Sequence, residues 1–154
     1  MPKIDHAAAP QFTGSTYPAP FDEPCKARDS LRLGIAAGLT QFGVNLVTIP
    51  PGCWSSQRHW HAEEDEFVWM IEGELVLVED EGETLLRPGD SAGFKAGTPN
   101  GHHLVNRSGR DARFLAIGTR LDADHGEYPD IDMRFMPGRY SGGGGFTRKD
   151  GTRY

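Results

Sequence analysis

The sequence predicts an all-β protein, a small double-sheet jelly roll closing into a barrel. Three observations carry that prediction. Apolar runs are short and alternate with period two, glycine- and proline-rich turn signals separate them, and no stretch sustains a helical period. At 154 residues the chain is one domain, large enough to bury a core without disulfide staples.

The elements follow in order. Residues 1–24 hold Pro2, Pro10, Pro18, Pro20 and Pro24, which rule out a regular element and predict a disordered or extended N-terminal arm. The barrel is expected over 25–140. Val44, Leu46 and Thr48 alternate with Asn45, Val47 and Ile49 until Pro50-Pro51-Gly52 ends the run. Glu66 to Ile71 and Glu74 to Val78 read as a strand pair around Gly73. Asp80-Glu81-Gly82 joins Leu75–Val78 to Thr84–Leu86 as a hairpin, and Pro88-Gly89 turns the chain into Ser91–Phe94. Leu104-Val105, Phe114–Gly118 and Ile131–Phe135 supply the later strands. Residues 141–154, SGGGGFTRKDGTRY, form a glycine-rich tail that is either disordered or folds Phe146 and Tyr154 back over the barrel or onto a partner subunit.

Composition limits the partners. A net charge of −6 argues against nucleic acid, and Arg139, Arg148, Lys149 and Arg153 near the C-terminus read as solvated charges. Cys25 and Cys53 are too few and too isolated for a disulfide framework, so a reducing cytoplasm is the expected compartment. The first residues lack the apolar core of a signal peptide, and no stretch approaches a membrane span.

Residues 52–73 carry the chemistry. In a strand, alternate side chains share a face, so His59 and His61 project together while Trp60 points away. Ala62-Glu63-Glu64-Asp65 then gives room to turn before Glu66 opens the next strand, from which its carboxylate can complete a three-ligand metal set. A His-x-His pair by itself is more often a surface or core accident than a metal site. Of the six histidines, however, four fall in two short clusters, and the second, His102-His103, also precedes an apolar run. Cys53, near His59 in sequence, is a further ligand candidate.

These residues resemble the two sequence motifs of the cupin superfamily. Gly52, His59, His61, Glu66 and Gly73 match the first, with one residue more between Gly52 and His59 than is usual. Gly93, Pro99, Gly101, His102 and Asn106 resemble the second, which departs further because nothing separates Gly101 from the histidines. The asparagine four residues after the family's ligand selects His102, and parity agrees, since His102, Leu104 and Asn106 share one face. The resemblance assigns no ligand role to Cys53. It implies a double-stranded β-helix holding one divalent transition metal (iron, manganese, zinc or nickel) on His59, His61, Glu66 and His102. Four protein ligands leave two octahedral positions open, as catalysis requires. It also implies a homodimer.

The chain looks most like small single-domain bacterial cupins described as sugar-phosphate isomerase-like. The leading expectation is therefore a metal-dependent enzyme acting on a small molecule, an isomerase of a phosphorylated sugar. Arg58 and Lys95 are the candidate phosphate partners and Glu63 or Glu64 the candidate base, each also readable as an exposed charge. The alternatives are an iron-dependent dioxygenase or lyase, with Trp54, Trp60, Trp69 and Phe94 as its aromatic wall, and a non-enzymatic metal or small-molecule binder.

Overall fold

The computed structural model describes residues 3–154; Met1 and Pro2 of the arm lie outside the described residues. In chain order the elements are β1 (Gln11–Thr13), β2 (Asp29–Leu31), a one-turn helix α1 (Leu33–Ala36), β3 (Phe42–Ile49), β4 (Trp60–His61), β5 (Glu66–Glu72), β6 (Leu75–Glu79), β7 (Gly82–Leu86), β8 (Ser91–Phe94), β9 (His103–Val105), β10 (Ala112–Thr119), β11 (Gly126–Tyr128), β12 (Met133–Phe135) and β13 (Phe146–Thr147). They form antiparallel sheets of six (β1-β2-β3-β10-β5-β8), four (β13-β12-β11-β4) and three (β7-β6-β9) strands. The isolated bridge His59–His102 links the segments entering β4 and β9, and Trp54 bridges Val105 of β9. The fold is all-β and consistent with a jelly roll, its ladders open rather than closed into one ring among the described residues.

Period-two alternation explains how the layers meet. Val47 and Ile49 of β3, Val68 and Met70 of β5 and Phe114 of β10 face Leu75 and Leu77 of β6, Leu86 of β7 and Leu104 of β9 in one cluster. Each such fully buried side chain contributes roughly 1.5–3 kcal/mol relative to exposure. The opposite face of β3 is apolar for a different reason. Ala9 from the first residues, with Leu33, packs on Leu46, and Ile4, Leu31, Val44 and Leu115 lie around them. β1 lies in the edge of the six-stranded sheet, pairing Phe12 with Ser30. At the other end, β13 pairs with β12, Phe146 packs into the cluster of Tyr128, Met133 and Phe135, and Tyr154 meets Phe21 edge-on at 5.9 Å.

The β6–β7 hairpin has the expected register, Leu75 opposite Leu86 and Glu79 opposite Gly82. The expected pair around Gly73 does not form. β5 pairs with β10 and β8, whereas β6 pairs with β7 and β9, so the chain changes sheets at Gly73. Gly73 has φ +70°, and a Cβ there would lie 2.6 Å from the Asp111 carbonyl oxygen. Glycine here permits a sheet crossing, not a hairpin.

Candidate metal centre

Glu66 begins β5 in the six-stranded sheet, opposite Gly118 of β10 and Phe94 of β8. The histidines come from the facing layer. His61 lies in β4 opposite Gly126, and His59 and His102 exchange backbone hydrogen bonds of 3.2 and 2.9 Å across their bridge. One carboxylate oxygen, Glu66 Oε2, collects all three rings: Nε2 of His102 at 2.9 Å, of His61 at 3.4 Å and of His59 at 3.7 Å. His59, His61 and Glu66 offer ligand atoms within 4.8 Å of one another.

The far nitrogens are already committed. His59 Nδ1 donates to the Gln57 carbonyl at 2.8 Å, and His61 Nδ1 donates to Asp124 Oδ2 at 2.6 Å. Each bond places the ring's proton on Nδ1 and leaves the Nε2 lone pair facing Glu66, the outer support a metal-binding imidazole needs. Asp124 is completely buried; its Oδ1 also accepts the backbone N–H of Glu63 at 3.0 Å. Phe94 stacks on the His102 ring at 3.6 Å, fixing its plane.

Electrostatics agree with this arrangement. Burial pushes the His59 pKa down to about 3 against the pull of Glu66, so this ring is neutral at physiological pH. For His61, burial is outweighed by the Asp124 hydrogen bond and the Glu66 charge, and its pKa is raised. Burial would lift the Glu66 pKa, but the His102 hydrogen bond and the neighbouring imidazoles hold it well below the usual carboxylate range. Burial works the same way on Asp124 and is outweighed by His61, which keeps it ionised. Imidazole nitrogens beside an ionised carboxylate are a donor set that fits a divalent transition ion.

The remaining sequence candidates sit elsewhere. His103 turns away from Glu66: its Nδ1 bonds the Ser56 carbonyl at 2.9 Å and its ring meets Trp54 edge-on at 4.8 Å. Cys53 lies in the apolar core. Asn106 bridges the carbonyls of Ile49 and Arg110 at 2.7 and 2.8 Å and shapes the loop after β9. Arg58 is held by Asp130 at 2.7 Å and by Asp80, so its charge is neutralised. Glu63 faces solvent, while Lys95 lines a small pocket of about 50 Å³ beside Glu66 and His102. Glu64 is buried and taken by Arg139 at 2.6 Å, the Tyr140 hydroxyl at 2.8 Å and the Leu121 N–H at 2.8 Å. His61, Glu64 and Asp124 form a second close group of possible ligands, but these bonds make it the outer support of the first.

A cavity of about 1050 Å³ opens beside the centre and is lined by His59, His61, Glu66 and His102. Four arginines, Arg28, Arg32, Arg120 and Arg139, line it as well. The sequence reading missed them, along with Asp124. No local spacing marks these residues, because they belong to segments far apart along the chain.

Antiparallel double sheets with three histidines and a glutamate between the layers define a small β protein built around a candidate metal centre. The chain belongs to the cupin superfamily. The family model described as Cupin domain matches residues 45–118. A crystal structure named as a sugar phosphate isomerase from a cupin superfamily, from Silicibacter pomeroyi DSS-3, is 49% identical, with 99% of this chain and 96% of that chain covered and a TM-score of 0.94. A putative sugar phosphate isomerase from Acidithiobacillus ferrooxidans ATCC 23270 is 30% identical, covering 83% of this chain and 80% of that one, with a TM-score of 0.75. No curated protein matches the chain. No helix among the described residues is long and apolar enough to cross a membrane.

Proposed function

We propose that this cupin is a metal-dependent enzyme that isomerises a phosphorylated sugar. The observation that carries the reading is the convergence of His59, His61 and His102 on Glu66 at the edge of a cavity that also presents arginines. The names of the two similar structures support the same substrate class.

His59, His61, Glu66 and His102 would hold one divalent ion, and iron, manganese, zinc and nickel all suit these donors. When bound, the ion supplies Lewis-acid polarisation of adjacent carbonyl and hydroxyl oxygens. The protein's own groups do the rest. Asp124 and the Gln57 carbonyl keep protons on the outer nitrogens of His61 and His59, so neither ring rotates. Val68, Leu104 and Phe114 give the cavity an apolar wall that limits water near the reacting carbons. The test is exchange of the C2 proton with deuterated solvent, followed by proton NMR over a panel of sugar phosphates with metal-loaded protein. Exchange in at least one member, absent in Glu66→Ala, is expected. No exchange across the panel would overturn the isomerase reading.

Aromatic lining favours a second reading, an iron-dependent oxygenase or lyase of small ring substrates. Trp69 is exposed and Trp54 packs on His103, yet Tyr17, Phe114, Tyr128 and Phe135 line the cavity with Phe94. Anaerobic iron loading followed by oxygen uptake separates the two, since isomerisation consumes no oxygen. A homodimer and a cytoplasmic setting belong to the proposal too. The exposed row Phe67, Trp69 and Ile71 along β5 is a face a second copy would cover, and both cysteines are free thiols. A monomer in sedimentation at micromolar concentration would refute the dimer.

A further inference from the structure

Arg28 is the one cavity arginine with a buried, unpartnered nitrogen among the described residues. Its Nε is shut off from solvent and makes no hydrogen bond, and the same is true of the Ser15 hydroxyl. Both residues line the large cavity. The Gly14 N–H donates to the Arg28 carbonyl at 2.7 Å, which extends the β1–β2 ladder by one residue, and Ser15 follows at the end of that ladder. An orphaned guanidinium nitrogen and an orphaned hydroxyl lining one cavity are costly, because each loses its hydration without compensation.

The largest influences on the Arg28 charge are burial, Tyr17, Cys25, Arg32 and Cys53, and Arg28 makes no ion pair among the described residues. Arg32 lies over the Phe12 ring at 4.9 Å and lines the same cavity, as does Arg120, which lies over the Tyr140 ring at 5.6 Å. Among the described residues none of the three forms an ion pair, although the chain carries 22 acidic residues against 16 basic ones. Arginines without ion-pair partners on one side of a shared cavity make that side positive and favour an anion there. Guanidinium and hydroxyl donors together match the several acceptor oxygens of a phosphoryl dianion.

We infer that Arg28 and Ser15, with Arg32 alongside, form the seat for the phosphoryl group of a substrate whose sugar end reaches the His59–His61–Glu66–His102 centre. This deepens the isomerase reading and rests on it for the identity of the sugar, but not for the binding of phosphate. Arg58, the sequence candidate, has its charge consumed by Asp80 and Asp130 and takes no part.

The test is titration of the full-length protein with inorganic phosphate, followed by phosphorus NMR and by melting temperature, in wild type, Arg28→Gln, Arg28→Lys, Ser15→Ala and Glu66→Ala. Losing charge-assisted bonds predicts at least about tenfold weaker binding in Arg28→Gln, with partial recovery in Arg28→Lys and a smaller loss in Ser15→Ala. Metal content in Arg28→Gln stays at the wild-type level, and Glu66→Ala still binds phosphate. Equal phosphate affinity in wild type, Arg28→Gln and Ser15→Ala would overturn the assignment; Ser15→Ala keeps it testable if Arg28→Gln unfolds. Binding lost in Glu66→Ala but kept in Arg28→Gln would place phosphate on the metal and also overturn it. Phosphate binding that depends on Arg28, in a protein that exchanges no C2 proton, would sustain the subsite and refute the isomerase.

Discussion

The two polar walls of the cavity are built by opposite means. The candidate metal wall takes three of its four candidate ligands from eight consecutive residues, His59 to Glu66, and His59 and His61 are pre-set by a backbone carbonyl and a carboxylate. The arginine wall is assembled from residues flanking β2 and from the segments after β10 and β12, and Arg28, Arg32 and Arg120 form no ion pair among the described residues. One wall is satisfied internally, and the other waits for an anion. Residue type alone does not separate an arginine that binds from one that braces: Arg58 and Arg28 are both partly buried, and their partners distinguish them.

The largest effect expected is at the first wall. His59→Ala and Glu66→Ala should each abolish retention of the metal while leaving the far-ultraviolet dichroism unchanged, with elemental mass spectrometry on untagged protein as the readout. About one equivalent in wild type and none in the variants would uphold the centre; equal content would break the comparison outright. Asp124→Asn comes next. It leaves all four ligands in place and disturbs only the partner of His61, so metal affinity should fall roughly 10–100-fold in a chelator competition.

Gly126→Ala probes the backbone beneath the same wall. An added Cβ would lie 2.0 Å from the Trp60 carbonyl oxygen and 2.4 Å from the Phe135 ring, so β11 must move off β4, which carries His61. Overpacking of this kind costs typically about 1–3 kcal/mol, readable in urea unfolding, and metal affinity should drop with it.

The smallest effect belongs to the arginine wall and to alkaline pH. Burial pushes the Cys25 thiol and the Tyr17 hydroxyl, both neighbours of Arg28, up to about 12 from ordinary values of 9.0 and 10.0. Raised values mean that the folded state keeps protons the unfolded chain releases. Their stabilisation is complete below pH 9 and is lost as pH rises toward 12. Melting temperature should therefore fall across that window, and Tyr17→Phe should shallow the fall. An unchanged slope in that variant would remove Tyr17 from the account.

The sequence's legibility follows the same division. Period-two alternation revealed β3, the β6–β7 hairpin and the convergence of His59 with His61, because each depends on residues close along the chain. Parity also separated His102 from His103, one ring at Glu66 and the other against Trp54. Strands of two or three residues, such as β1, β11 and β13, carry too few alternations to register. The pairing at Gly73 was misjudged because a positive-φ glycine serves a tight turn and a sheet crossing equally well. Asp124 and Arg28 were invisible for a simpler reason. Asp124 stands 63 residues from the His61 that it supports, and the arm that brings Ser15 to the cavity reads only as proline-rich.

The backbone rungs between His59 and His102 have a further consequence. They act as a fixed caliper, setting the separation of the two histidine-bearing segments whether or not an ion is held between them. A pocket gauged in advance spends little conformational freedom on loading, so uptake should be quick and the empty and filled proteins nearly superimposable. Such a gauge, with imidazole donors, would admit any divalent transition ion of suitable size. The choice among them then passes from the fold to the supply, and the same polypeptide would run on whichever ion its surroundings keep most available.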